Sequence, residues 1–491
     1  MRSLSDFPDA HLRIFGRPDV PPARDISSVY LIGICGTGMG SLAGLFHESG
    51  YSVSGSDSAT WPPMSDRLAA MQIPILEGYG ADNLQPPADL TIVGNACTPS
   101  HVEAAFARDH SLVQQSLPEA VAHFFIRDRR SLVVTGTHGK TTTTSLLTHV
   151  FREAGRDPGF LVGGIMNNGN VSYAVGSGEH FIIEGDEYDT AYFDKRPKFM
   201  HYRPTSAIVT SVEFDHADIY SSMSDYREAF NAFAASVPDS GLLVLCGDDP
   251  EVRRLEQSAT CRILTYGLGA SDLDVRAVRI ETGSDGQRFD LLVQGTLLGR
   301  LWLPLSGKHN LQNALAVAAV AIDEGLSISD LKEGFGSFLG IQRRQQIRGD
   351  VAGVIVLDDF AHHPTAVRAT VESTRERWPD RRIVAIFEPR SNSSRRKVFE
   401  DGYATSFSDV GAVFMSRPPF RHNDRPEDFM DIDRVLDRIH ETGIVTGCAE
   451  GAENLLPLVL EELRPGDIAL VMSNGGFGGI HESLIARLKE R

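Results

Sequence analysis

The sequence predicts an α/β protein of three domains, with Rossmann-like outer domains around a central domain whose sheet is mixed. Length is the first reason, because 491 residues exceed what one hydrophobic core organises and about three domains are expected. Short apolar runs also alternate with helix-like stretches at the spacing of βαβ units. Finally, the glycine-rich turns GICGTGMG, GTHGKTTTT and SNGGFGG stand where apolar runs give way to helical patterns.

Residues 1–27, including PDVPPARD, read as an N-terminal extension that is either ordered or simply a tail. Residues 28–126 form the first domain, with VYLIGI, YSVSG, LTIVG and SLVQQ as strands. Residues 127–342 form the central domain, opening at the strand SLVVTG and continuing through HFIIEG, SAIVTS and GLLVLC. Residues 343–491 form the third domain, where VIVLDDFA, RRIVAIFEP, GAVFMS, GIVTGC and DIALVMSNGG are strands followed by helical patterns, a doubly wound arrangement. After Pro364, the stripe Val367, Val371, Thr374 and Trp378 recurs at helical spacing and is assigned to the core.

Composition bounds the function. Hydrophobic residues at 42%, 46 Gly and 25 Pro suit a soluble, loop-rich chain, and no apolar run reaches the roughly 18 residues of a membrane span. The start, MRSLSDFPDAHLRIFG, lacks an apolar stretch of signal-peptide length, so a cytoplasmic location is expected. Cys35, Cys97, Cys246, Cys261 and Cys448 form no CxxC pair and are expected to be reduced and mostly buried. A net charge of -18 disfavours nucleic acid and anionic membranes as partners, so anionic substrates require focused sites. The expected state is a monomer or weak homodimer.

GTHGKTTTT carries the strongest functional signal. It follows a strand and opens a helix whose buried face is Leu146, Leu147, Val150 and Phe151, ended by Gly155. Amides from Gly136 through Thr137, His138 and Gly139 can wrap a polyphosphate at the helix N-terminus. Lys140 can neutralise the outer phosphates, and the Thr141 hydroxyl can ligate Mg²⁺. Two residues rather than four separate the glycines, yet strand, glycines, lysine, hydroxyls and helix fall in order. The chain is expected to bind a nucleoside triphosphate.

A hard cation must accompany it. FIIEGDEYD ends in Glu184, Asp186, Glu187 and Asp189, which either supply carboxylate ligands or form a solvated acidic loop. His216, after another strand in EFDHAD, is either a ligand or a structural histidine. In the first domain, Gly33, Gly36, Gly38 and Gly40 lie between strand and helix, and Asp57 follows Gly36 by 21 residues. This Rossmann-type cradle, with Ser41 at the third fingerprint position, suits NAD or a different nucleotide carried by the substrate.

In the third domain Asp358, Asp359, His362 and His363 stand at the carboxyl end of a strand, where ligands of α/β sheets gather and a metal is one option. Arg390, Arg395, Arg396 and Lys397 suit carboxylate recognition, or else begin a solvated basic helix. Gly475, Gly476, Gly478 and Gly479 expose amides at a further helix N-terminus.

Taken in order, LIGICGTGMG, GTHGKTTTT, EGDEYD, EFDHAD, GKHNLQNALA, RRQQ and DDFAHHP resemble the Mur ligases, three-domain ATP-dependent enzymes of peptidoglycan assembly, over residues 28–491. EPRSN at 388–392 and FDKRPKFMHYRP after Tyr192 resemble the branch that recycles murein peptides. The resemblance implies an ATP-dependent carboxylate-amine ligase using two Mg²⁺. It would join the lactyl carboxylate of UDP-N-acetylmuramate, through an acyl phosphate, to the amine of the murein tripeptide L-alanyl-γ-D-glutamyl-meso-diaminopimelate.

The resemblance also distributes roles. Gly33, Gly36, Thr37, Gly38, Met39, Asp57 and Asn95 would hold the UDP-sugar. Gly136 to Thr142, with Asn310 and Asn313 at the adenine and Arg344 and Asp359 from the third domain, would hold ATP. Thr141, Glu184 and His216 would ligate Mg²⁺, and Arg390, Ser391, Asn392, Gly475 and Gly476 would face the peptide. Lys140, Glu184, His216, Arg344 and His362 would carry catalysis, with His362 or His363 assisting proton removal from the amine. No lysine lies between Lys198 and Lys308, so the carbamylated-lysine metal bridge of some relatives is not expected. The alternatives are a ligase adding free L-alanine to the same sugar, a non-catalytic nucleotide-gated scaffold, and an NAD-dependent oxidoreductase that would leave the phosphate loop unexplained.

Overall fold

The computed structural model describes residues 3–60, 64–216, 219–420 and 426–491. Three large sheets and one two-stranded ribbon organise them. The first sheet is all parallel, in the order Ile75–Glu77, Ser52–Asp57, Ser28–Ile32, Leu90–Val93, Gln114–Ser116. Leu90–Val93 is buried throughout, as a central strand covered on both faces must be. The sequence reading begins the last strand at Ser111, but Ser111 takes a φ of +51° and closes the preceding helix, so pairing starts at Gln114. The edge strand Ile75–Glu77 is too short to announce itself in the sequence.

The second sheet has ten strands, in the order Thr296–Leu303, Gly286–Val293, Val275–Gly283, Arg262–Gly267, Leu242–Cys246, Ser206–Val209, Arg130–Thr135, His180–Gly185, Gly159–Met166, Val171–Ala174. It is mixed, with antiparallel hairpins at both edges and parallel strands between them. Arg130–Thr135 sits between Ser206–Val209 and His180–Gly185. Their carboxyl ends therefore deliver Lys140, the Glu184–Asp189 segment and the Thr210–His216 segment to one rim. Residues 217 and 218, which end the EFDHAD motif, lie outside the described residues.

The third sheet runs Gln346–Val351, Val354–Asp359, Ile468–Ser473, Ile383–Glu388, Ala412–Arg417, Val445–Glu450. Only the first pair is antiparallel. That edge strand is partly exposed throughout and has no clear apolar run, which hid it in the sequence. The last strand inserts beside Val354–Asp359, so the order reverses there and the loops after Asp359, Glu388 and Ser473 gather around a crevice. Val367, Val371 and Thr374 are buried as expected, but the helix Pro364–Arg377 stops before Trp378, which packs half-buried at its end.

One continuous apolar cluster joins the first and central units. The third sheet has its own cluster on each face and shares none with the others among the described residues. Polar contacts link it to the rest, including the Thr365 hydroxyl donating to Glu213 (2.7 Å) and Arg377 Nε donating to the Ser284 carbonyl (3.2 Å). Such contacts can part without exposing a core.

The N-terminal extension is not a tail. Phe15 stacks on Tyr192 and meets Phe193 edge-on, each at 6.1 Å between ring centroids. Arg17 donates both terminal nitrogens to Glu119 at 2.9 Å, tying the extension to the first domain. Cys97, Cys246 and Cys261 are buried, and all five cysteines are free. Among the described residues no helix is long and apolar enough to cross a membrane.

Candidate active site

The phosphate loop leaves the strand Arg130–Thr135 and enters the helix Lys140–Glu153. Gly136 and Gly139 take φ of +130° and +80°, and a Cβ at Gly139 would lie 2.7 Å from Asn313 Oδ1. Any side chain there would both strain the backbone and push away the helix Lys308–Asp323.

Lys140 is held in a ready pair. Its Nζ donates to the Gly136 carbonyl (2.6 Å) and to Glu187 Oε2 (2.8 Å). Glu187 is fully buried and also accepts from His216 Nε2 at 2.9 Å. Burial pushes the Glu187 carboxyl upward, but Lys140 and His216 outweigh it and hold the group at about 2. Burial pulls His216 down, yet Glu187 and Asp215 overcome that and raise it above the usual imidazole value. One buried carboxylate thus contacts both the Lys140 ammonium and the His216 ring at the mouth of the phosphate loop.

Glu184 is the less compensated acid. It accepts from the Thr141 hydroxyl (2.9 Å) and the Gly163 amide (2.9 Å). Burial and the Asp186 charge raise its carboxyl above the ordinary range. A divalent cation beside Thr141 and Glu184 would favour its ionised form, which is the chemistry expected of a Mg²⁺ ligand set. Asn313 Nδ2 is buried without a partner beside the same loop, a donor left for a ligand, whereas Asn310 Nδ2 donates to the Ser306 carbonyl at 2.7 Å.

A cavity of about 890 Å³ joins these groups to the third domain. Thr137 through Thr142, Glu184, His216, Asn310, Asn313, Arg344, Asp359, His362 and Ser391 line it. Asp359 accepts from the Gln345 and Ala361 amides, and burial raises its carboxyl despite the Arg344 charge. Arg344 lies over the Phe360 ring at 5.0 Å. Burial pushes His362 down to about 4, so it is neutral at pH 7. Its Nδ1 lies 3.2 Å from the Phe360 carbonyl and donates to it, leaving the Nε2 lone pair available.

The remaining candidates form two other groups. In the first domain, Asp57 Oδ2 accepts from the Cys35 amide (2.9 Å) and so fixes the loop from Gly33 to Met39, while Asn95 is exposed in the turn after Leu90–Val93. In the third domain a Cβ at Gly475 would lie 1.8 Å from Arg390 Nη1, so glycine there lets Arg390 lie across the last loop beside Gly476. Asn392 Oδ1 accepts from Arg395 at 3.3 Å, and Arg396 pairs with Asp428. Arg395 is buried over Phe429, so much of the basic run has internal partners.

Two participants escape motif reading. Glu187 reads as one acid among four, and its burial against Lys140 depends on the strand order. Glu213 accepts from Thr365 of the third domain, and its other oxygen lies 2.8 Å from His138 Nε2. Only its place in EFDHAD, after a strand, could have flagged it.

Comparison with known proteins matches the whole arrangement. Residues 28–129 match the Mur ligase family catalytic domain, residues 134–321 the Mur ligase middle domain, and residues 343–475 the Mur ligase glutamate ligase domain. The UDP-N-acetylmuramate–L-alanyl-γ-D-glutamyl-meso-2,6-diaminoheptandioate ligase of Escherichia coli is 36% identical over 94% of this chain and 98% of its own. A UDP-N-acetylmuramate–L-alanine ligase of Desulforapulum autotrophicum is 33% identical over 93% and 98% respectively. The crystal structure of a murein peptide ligase from Psychrobacter arcticus superposes with a TM-score of 0.72 at 31% identity, covering 95% of this chain and 99% of that one.

Proposed function

The chain belongs to the Mur ligase family of ATP-dependent amide-forming enzymes, and we propose that it joins UDP-N-acetylmuramate to L-alanyl-γ-D-glutamyl-meso-diaminopimelate. The observation that carries the chemistry is the convergence of Lys140, Thr141, Glu184, Arg344, Asp359 and His362 on one cavity. The peptide assignment is supported by the 36% identity to the tripeptide ligase and by EPRSN and FDKRPKFMHYRP.

A carboxylate is a poor acyl donor because its oxygen is a poor leaving group. In the proposed reaction the lactyl carboxylate oxygen attacks the γ-phosphorus of ATP, and ADP departs with the bridging oxygen. The peptide amine then attacks the acyl carbon, the C–O bond to phosphate breaks, and the amine loses one proton. When bound, Mg²⁺ at Thr141 and Glu184 would screen the crowded anions. Lys140 exchanges Glu187 for the outer phosphates and holds them in line with the carboxylate.

Asn313 and Arg344 position the nucleotide, while the Gly33–Met39 cradle and Asp57 retain the UDP end of the sugar. The peptide's α-amine has an ordinary pKa near ~8, so roughly a tenth is neutral at pH 7. His362 Nε2 is available to receive its proton. Closing the third domain over the cavity excludes the water that would hydrolyse the acyl phosphate. ATP and a UDP-sugar as substrates place the reaction in the cytoplasm, with the chain acting as a monomer or weak homodimer.

Phosphate release with UDP-N-acetylmuramate and either the tripeptide or free L-alanine tests the assignment. Faster release with the tripeptide is expected; preference for L-alanine overturns the peptide reading while leaving the ligase chemistry in place.

A further inference from the structure

His138, Glu213 and His363 come from three separate segments, namely the phosphate loop, the loop after Ser206–Val209 and the loop after Val354–Asp359. One ring nitrogen of each histidine and one Glu213 oxygen all lie within 4.8 Å of one another. His138 Nε2 is 2.8 Å from Glu213 Oε2, and His363 Nδ1 is 3.8 Å from the same oxygen. Two atoms bound tetrahedrally to Zn²⁺ at about 2.0–2.1 Å stand roughly 3.3 Å apart, so the observed separations bracket that value.

The protonation pattern suits a metal. The Thr365 amide donates to His363 Nδ1 (3.3 Å), so that nitrogen carries the lone pair, 3.8 Å from Glu213 Oε2, and an ion bound there would take the place of this hydrogen bond. His363 Nε2 is buried and has no hydrogen-bond partner. The Thr365 hydroxyl fixes the other Glu213 oxygen at 2.7 Å, as an outer-shell partner orients a ligating carboxylate.

We propose that His138, Glu213 and His363 form a site for a borderline-soft divalent transition metal such as Zn²⁺, distinct from the oxygen ligands offered by Thr141 and Glu184. Two imidazoles and a carboxylate favour Zn²⁺ or Co²⁺ over Mg²⁺, and both histidines line the cavity, from which a water or ligand could complete the coordination. The occupied site pins the third domain to the phosphate loop. This inference does not depend on which acid and amine the enzyme joins.

The test titrates chelator-stripped full-length protein with Co²⁺ and follows the visible spectrum. Wild type is expected to develop the intense absorption of four-coordinate Co²⁺ at one equivalent, and Zn²⁺ should bleach it. Glu213→Gln and His363→Asn should each weaken this binding by more than about 100-fold, beyond what loss of an outer-shell partner costs. Glu184→Gln should retain it. Absence of the band in wild type, its survival in both site variants, or its loss in Glu184→Gln overturns the proposal. Should a variant fail to fold, acylation of the wild-type histidines by diethylpyrocarbonate reads the same site. Zn²⁺ should protect His138 and His363, and equal modification with and without Zn²⁺ overturns the assignment.

Discussion

Two glycine loops in this chain share one backbone plan, strand to glycine turn to helix, yet carry opposite electrostatics. The first, ahead of the helix Thr37–Glu48, is pinned by an acid, since Asp57 accepts the Cys35 amide. The second, ahead of Lys140–Glu153, contains a lysine already paired with the buried Glu187. Both can present amides to phosphates, but only the second can exchange a stored ion pair for one with the ligand. On the proposed function, the first loop merely holds a diphosphate and needs rigidity. The second loop would act on a departing phosphate, and so needs a cation whose charge is balanced until the ligand arrives.

The largest expected effect breaks this contrast at its buried end. Glu187→Gln leaves Lys140 and His216 without their shared counter-charge, and a loss of about 3–5 kcal/mol is expected, read as a lower midpoint in urea unfolding. A loss under about 1 kcal/mol would mean that the pair is not what stabilises the empty loop. Asp57→Ala should behave differently, weakening UDP-sugar binding about tenfold by calorimetry while kcat stays near wild type, because it frees a loop remote from the reacting atoms.

The pH dependence sharpens the same distinction. Glu187 is depressed in the folded chain, so its contribution is present above the unfolded value of about 4.5 and lost as pH falls towards about 2. His216 is raised, so its contribution is complete below about 6.5 and lost as pH rises through the folded value. The cluster should therefore stabilise most between about pH 4.5 and 6.5. Urea unfolding across pH should show this window in wild type and a flatter profile in Glu187→Gln. The smallest effect is expected outside both loops. Arg17→Ala removes a partly exposed pair with Glu119, so a cost of about 0.5–1 kcal/mol should appear as a small shift in the thermal midpoint.

Much of this was legible in the sequence. Apolar runs gave the central parallel strands because burial on both faces requires them, and the phosphate loop was visible because glycine, lysine and hydroxyl spacing is local. Three things were not. The edge strand Gln346–Val351 is partly exposed and lacks a continuous apolar run. The docking of Phe15 and Arg17 depends on residues more than a hundred positions away. The partnership of Glu187 with Lys140 and His216, and of Glu213 with His138 and Thr365, arises only when strand order sets three loops side by side. Local motifs announce backbone conformation and side-chain chemistry; counter-ions follow from topology.

The most direct measurement compares phosphate release and ATP binding in wild type and Lys140→Met, with both co-substrates present. Turnover is expected to fall by at least about 10²–10³-fold while nucleotide still binds, the scale of losing one preorganised donor at a developing charge. Wild-type turnover in Lys140→Met with ATP firmly held would contradict it.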